Sequence, residues 1–160
     1  MKIQVIAFGK LKSPGLRDAA EHFKKMIQPW ISFEETELKA LVVPEKSPAL
    51  RAKIQEKEAE ILLENLGPKA KFYILDEKGK SFSSQHWAEM LQINQDQGVG
   101  DLAFCIGSSL GFSDAIRQKA KGTLSLGPQT FSHELARVVL FEQLYRAMSI
   151  LKRHPYHNEG

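Results

Sequence analysis

Three short, apolar, β-rich runs constrain this chain more than any other feature: residues 2–8 (KIQVIAF), 71–75 (KFYIL) and 102–106 (LAFCI). Each is too short for a core helix and too continuously apolar for a half-solvated strand, so each reads as a strand in a sheet covered on both faces. Residues 31–38 alternate apolar with polar and read as a strand nearer the sheet edge, and 124–126 as a last short strand. Between these runs the period changes. In residues 15–27, Leu16, Ala19, Ala20, Phe23, Met26 and Ile27 recur at three and four, and Pro29 closes that helix. Leu50, Ile54, Ile61, Leu62 and Leu66 stripe a second, charged helix stopped by Gly67-Pro68. Ser83-Ser84 cap a third that runs to about residue 93, with Gly98 and Gly100 beyond it. Residues 44–48 read as a polar linker and 76–80 as a turn. Strands alternating with helices predict one α/β domain over 1–160, a mostly parallel sheet flanked by helices.

Length and charge narrow the function classes without choosing one. A chain of 160 residues can bury a real core, and a formal charge of +3 permits a polyanionic partner but does not require one. Cys105 is the single cysteine, so no disulfide forms within the chain. The N-terminal apolar run is too short for a secretory signal. The most apolar stretch, 135–151, carries Arg137, Glu142 and Arg146, which argues against a membrane span. The expectation is a cytoplasmic protein with no membrane or DNA partner.

In open parallel sheets, ligands bind beyond the carboxyl ends of the strands. Three such ends carry glycine or polar turns here: Leu75-Asp76, residues 106–111 and residues 126–131. Glycines there let a backbone approach a ligand closely, or simply shape a tight turn. Gly9-Lys10 lacks the upstream glycine of a phosphate loop, and nothing matches a dinucleotide fingerprint. His154 and His157 lie close together, but no cysteine or carboxylate cluster completes a metal site, so no metal is expected.

The last helix and tail are the oddest part of the sequence. Of residues 135–151, 12 of 17 are apolar and fall on every side of a helix. A helix apolar all round is buried all round, and a small domain rarely encloses a terminal helix, so a second subunit is expected against it. Glu142 and Arg146, one turn apart, read as a helix-stabilising ion pair. His133 and Arg137 place two potential cations on one turn and call for an anion nearby. The tail Lys152-Arg153-His154-Pro155-Tyr156-His157 combines cations, an aromatic face and imidazoles, a mixture suited to RNA.

Together these residues resemble the RlmH (YbeA-like) family of SPOUT-class methyltransferases, nearly end to end. The resemblance rests on Ala7-Phe8-Gly9-Lys10-Leu11-Lys12, on residues 75–80, on Phe104-Cys105-Ile106-Gly107 and on Leu124-Ser125-Leu126. Its most specific part is Thr130-Phe131-Ser132-His133 with Arg137, then residues 142–147, then His154-Pro155-Tyr156-His157. The chain differs from the family's pattern at Ser108, at Gly127-Pro128-Gln129 and at Asn158. The resemblance implies a homodimer with a C-terminal trefoil knot, S-adenosylmethionine as methyl donor, and the pseudouridine of the helix 69 loop of 23S rRNA, on the assembled ribosome, as the N3 acceptor. It implies donor contacts at Leu75, Gly107, Leu126, Gly127, Pro128, Gln129, Thr130 and Phe131. Arg137, Tyr156 and His157 are the candidate catalytic residues, and His133 and His154 the candidate RNA contacts. Two alternatives stay open: a tRNA methyltransferase of the same class, and a non-catalytic RNA-binding module that has lost the donor.

Overall fold

The computed structural model describes residues 1–41 and 47–158, so most of the linker expected at 44–48 lies outside the described residues. The elements run β1 (Lys2–Phe8), α1 (Pro14–Ile27), β2 (Ser32–Leu38), α2 (Pro48–Asn65), β3 (Lys71–Ser81), α3 (Ser84–Asp96), β4 (Asp101–Ile106), α4 (Asp114–Lys119), β5 (Gly122–Ser125) and α5 (His133–Leu151). The five strands form one parallel sheet in the order β2-β1-β4-β3-β5. The three apolar runs are its three central strands, and the alternating run β2 is an edge, as its pattern predicts.

Alternation along each strand sends side chains to two cores. Ile3, Val5, Ala7, Phe33, Leu102, Phe104, Ile106 and Leu124 meet the apolar faces of α1, α3 and α5. Ile6, Phe8, Leu38, Phe72, Ile74, Ala103 and Cys105 meet α2 and α4 on the other side. Burial pushes the Cys105 thiol well above its ordinary range, so it is an inert core residue. Serine caps start the helices, with the side chains of Ser83, Ser113 and Ser132 accepting from the N–H groups of His86, Ile116 and Leu135. No described helix is long and apolar enough to cross a membrane.

Three features depart from the sequence reading. β3 does not stop at Leu75 for a turn but continues to Ser81. Leu124 of β5 pairs with both Leu75 and Lys80, so residues between them bow out and return to the same strand. Gly79 permits this: a Cβ there would lie 2.7 Å from the Thr123 carbonyl. The short α4 buries Ile116 alone, too little apolar surface to give a periodic signal. Finally, α5 is covered largely by its own chain. Val138, Leu140, Phe141, Leu144, Tyr145, Ala147 and Met148 are all buried against α1, α3 and the sheet. Its apolarity alone therefore does not demand a second subunit, although Leu135 is exposed and Val139 only half-buried.

Candidate functional site

The three strand ends singled out in the sequence converge on one cleft of about 290 Å³, near the lower end of small-ligand sites. Leu75, Asp76 and Glu77 come from β3, Ile106 to Ser109 and Gly111 from the β4 exit, and Leu126, Gly127, Gln129, Thr130 and Phe131 from the β5 exit. Phe112, His133 and Ala136 complete the wall. Of the candidate donor residues, Pro128 alone does not line it. Gly127 has φ +136°, a conformation that side-chain-bearing residues rarely adopt. Ser125 Oγ donates to the Gly127 carbonyl at 2.7 Å and accepts from its N–H at 3.0 Å, which fixes that turn. Thr130 Oγ1 donates to Glu77, tying the β5 loop to the β3 excursion. At the rim, burial raises the Asp76 carboxyl, but the Lys78 N–H and the Arg117 guanidinium, 2.6 Å away, outweigh it and hold the group below the usual carboxylate range.

A second cavity adjoins the first and shares Ser108, Ser109 and His133 with it. Lys10, Lys12, Leu41 and Arg137 also line it. His133 is exposed there, whereas Arg137 is 2 % exposed. The anion that Arg137 calls for is internal. Its Nη1 donates to Glu35 at 3.0 Å and to Glu37, and its Nη2 to the Gly9 carbonyl at 3.0 Å. Arg17 of α1 grips the same two carboxylates at 2.8 and 2.9 Å. Alternation on β2 puts Glu35 and Glu37 on one face with Phe33, which packs edge-on against Phe141 of α5. Arg137 Nε is buried without an acceptor among the described residues.

The tail folds back onto α5. Arg153 takes a left-handed φ of 54°, and the His154 N–H donates to the Ser149 carbonyl at 2.8 Å, which reverses the chain. Trp30 stacks on Tyr145 at 5.1 Å, the Tyr156 ring lies 4.5 Å from Tyr145, and His154 meets the Trp30 edge at 5.1 Å. Glu142 is the hub: it accepts from Tyr156 Oη at 2.9 Å and from Arg146 at 2.6 and 3.0 Å, as the ion-pair reading predicts. Burial and the bond to Glu142 both raise the Tyr156 phenol above its ordinary value, so the hydroxyl stays protonated. Arg146 Nη1 lies 3.2 Å from His157 Nδ1. A guanidinium can only donate, so Nδ1 accepts and the proton of the neutral ring sits on Nε2.

The structure thus gathers His133 with the cleft residues and gathers His154, Tyr156 and His157 together, but separates the two groups. Arg137 and Arg146 stand nine residues apart on α5, about 13.5 Å of helix axis. Sequence reasoning missed Phe112 in the cleft wall and the carboxylates that hold Arg137. The alternation of Phe33, Glu35 and Glu37 was a signal for the latter, since two acids on a core-facing side require cations.

Residues 1–157 match the family described as "Predicted SPOUT methyltransferase". The ribosomal RNA large subunit methyltransferase H of Streptococcus uberis is 39% identical over 158 residues, covering 98% of this chain and 99% of the relative. That of Flavobacterium psychrophilum is 36% identical over 159 residues, covering 99% of this chain and 100% of the relative. The fold is similar to that of a probable methylase family protein from Haemophilus influenzae Rd KW20, with a TM-score of 0.57 at 13% identity, over 98% of this chain and 70% of that one. A parallel sheet with a glycine-turned cleft at its strand ends, matched over nearly its whole length at this identity, places the chain in the SPOUT methyltransferase family.

Proposed function

We propose that the chain methylates N3 of the pseudouridine in the helix 69 loop of 23S rRNA on the assembled ribosome, in the cytoplasm, with S-adenosylmethionine as donor. The observation that carries this reading is the convergence of Leu75, Gly107 and the 126–131 loop on one cleft in a chain of this family. The cleft suits the donor chemically. Leu75, Ile106, Phe112, Leu126 and Phe131 offer apolar surface for an adenine ring, and the turns at Gly107 and Gly127 bring backbone polar groups to its edge. Leu75, Gly107, Leu126, Gly127, Gln129, Thr130 and Phe131 would hold it directly, and Pro128 would stiffen the loop. The donor supplies, when bound, a methyl group on a sulfonium.

The chain's own residues supply alignment and a water-poor site for an in-line displacement. The acceptor N3 carries a proton at neutral pH, which passes to solvent as the base becomes the anion that takes the methyl group. Tyr156 and His157 orient the base, the Nε2–H of His157 donating to its anionic form, while Arg137 holds the wall beside His133 through Glu35, Glu37 and the Gly9 carbonyl. His133 and His154 contact RNA at the two ends of this surface. Because Arg137 and the tail lie far apart within one chain, this assignment requires the tail of a second copy, and supports a homodimer in which exposed Leu135 and half-buried Val139 of α5 lie at the interface. The double pairing of Leu124 and the close passage at Gly79 support reading residues 76–81 as part of the trefoil-knot crossing.

The test is methyl transfer from labelled S-adenosylmethionine to intact ribosomes, free rRNA and tRNA. The expected result is label on ribosomes at N3 of the helix 69 pseudouridine. Label on tRNA alone would overturn the substrate, and no donor binding at millimolar concentration would leave a non-catalytic RNA-binding module.

A further inference from the structure

The helix α2 carries a buried acid, Glu58. Ile54, Glu58 and Leu62 form the buried stripe of α2, and Glu58 is 3 % exposed where a leucine would complete the packing. A carboxylate there is costly unless its oxygens are satisfied. Both are, and among the described residues by neutral donors: Oε1 accepts from Ser108 Oγ at 2.6 Å and Oε2 from the Leu41 N–H at 3.2 Å. Ser108 Oγ in turn accepts from the Leu110 N–H at 3.3 Å, and the Gly111 N–H donates to the Ser108 carbonyl at 3.0 Å. One turn earlier on α2, Gln55 donates to the Leu110 carbonyl at 3.0 Å. The loop after β4 is therefore fastened from behind by α2 while its other side lines the cleft. Ser108 also lines the adjoining cavity, as does Leu41, so Glu58 ties down the wall the two cavities share.

We propose that Glu58 and Ser108 form a positioning pair that sets the 107–111 loop for the methyl donor. This rests on the reading of the cleft as the donor site. The hydrogen bond from Ser108 to Glu58 is charge-assisted and partly buried, the kind whose loss lets a loop relax. Its consequence is on donor affinity more than on the transfer step, because the loop it fastens lines the donor cleft.

The experiment is calorimetric titration of the full chain with S-adenosylmethionine, alongside the donor KM and kcat. Glu58→Leu, which extends the apolar stripe, and Ser108→Ala should each weaken donor Kd about tenfold, the scale of one charge-assisted hydrogen bond. The donor KM of Glu58→Leu should rise in step while its kcat falls by a smaller factor. The double variant should bind no more weakly than Glu58→Leu alone, because both changes remove one interaction. Glu58→Gln, whose amide oxygen can accept from the Leu41 N–H while its NH2 donates to Ser108 Oγ, should keep most of the affinity. Unchanged Kd in both single variants, or losses that multiply in the double, would overturn the pair. Should Glu58→Leu fail to fold, Ser108→Ala and Glu58→Gln carry the same decision. A wild-type chain that bound no donor would bring down the reading of the cleft itself, a result distinct from a wild type that binds and variants that bind equally well.

Discussion

Replacing Arg137 by methionine would abolish activity for a reason that an activity assay alone would misread. The guanidinium is 2 % exposed and held by Glu35, whose side chain is 6 % exposed, by Glu37 and by the Gly9 carbonyl. Removing one member of a buried ion pair costs about 3–5 kcal/mol, because the remaining charge stays buried without its partner. Here Arg17 still reaches both carboxylates, and the Glu37 side chain is 31 % exposed, so the lower end applies, about 3 kcal/mol. With a urea slope of about 2 kcal/mol/M, the midpoint should fall by about 1.5 M. The pH dependence gives a second signature. Burial raises the Glu37 carboxyl, but hydrogen bonds from Arg137 and the Leu11 N–H, and the charges of Arg137 and Arg17, hold it below its ordinary value. A lowered carboxylate contributes stability that is present above the unfolded pKa of about 4.3 and lost as pH falls through the folded value. The gap between wild type and Arg137→Met should thus be full at neutral pH and narrow below about pH 4. Adding Glu35→Gln should restore part of the loss. Urea unfolding by circular dichroism measures all three. A midpoint within 0.2 M of wild type at pH 7, taken as about the resolution of such fits, would refute the structural role and leave Arg137 purely catalytic.

Glu142→Gln should lower the Tyr156 phenol toward its ordinary value, visible in the alkaline absorbance titration as the difference from a Tyr156→Phe background; an unshifted Tyr156 would mean that burial alone raises it. Gly79→Ala forces a Cβ to within 2.7 Å of the Thr123 backbone and should cost about 1–3 kcal/mol in thermal or urea unfolding, whereas a neutral result would mean that the excursion yields freely. Val139→Glu should split the proposed dimer in sedimentation and remove activity together; a fully active monomer would sink the shared-tail assignment. Tyr156→Phe and His157→Ala should each slow single-turnover methylation by about tenfold or more, and rates equal to wild type in both would remove the tail from the chemistry.

Much of the architecture is written in local patterns. The three apolar runs dictate central parallel strands because burial on both faces leaves few positions for a polar residue, and the alternation of β2 dictates an edge. The strand-end glycines located the cleft because an open parallel sheet has one place for a ligand. What periodicity could not carry is any arrangement set between distant segments. The return of Leu124 to both Leu75 and Lys80 turned an expected turn into part of a strand. Packing by α1 and α3 buried an all-round apolar helix that, judged by itself, called for a partner. The same holds for charge. The sequence determined that Arg137 and His133 share one helical turn and need an anion, since helix geometry is local. Only the tertiary structure decided that the anion for Arg137 is Glu35 and Glu37, about 100 residues upstream, because which charges meet in the interior depends on how the sheet and α5 pack.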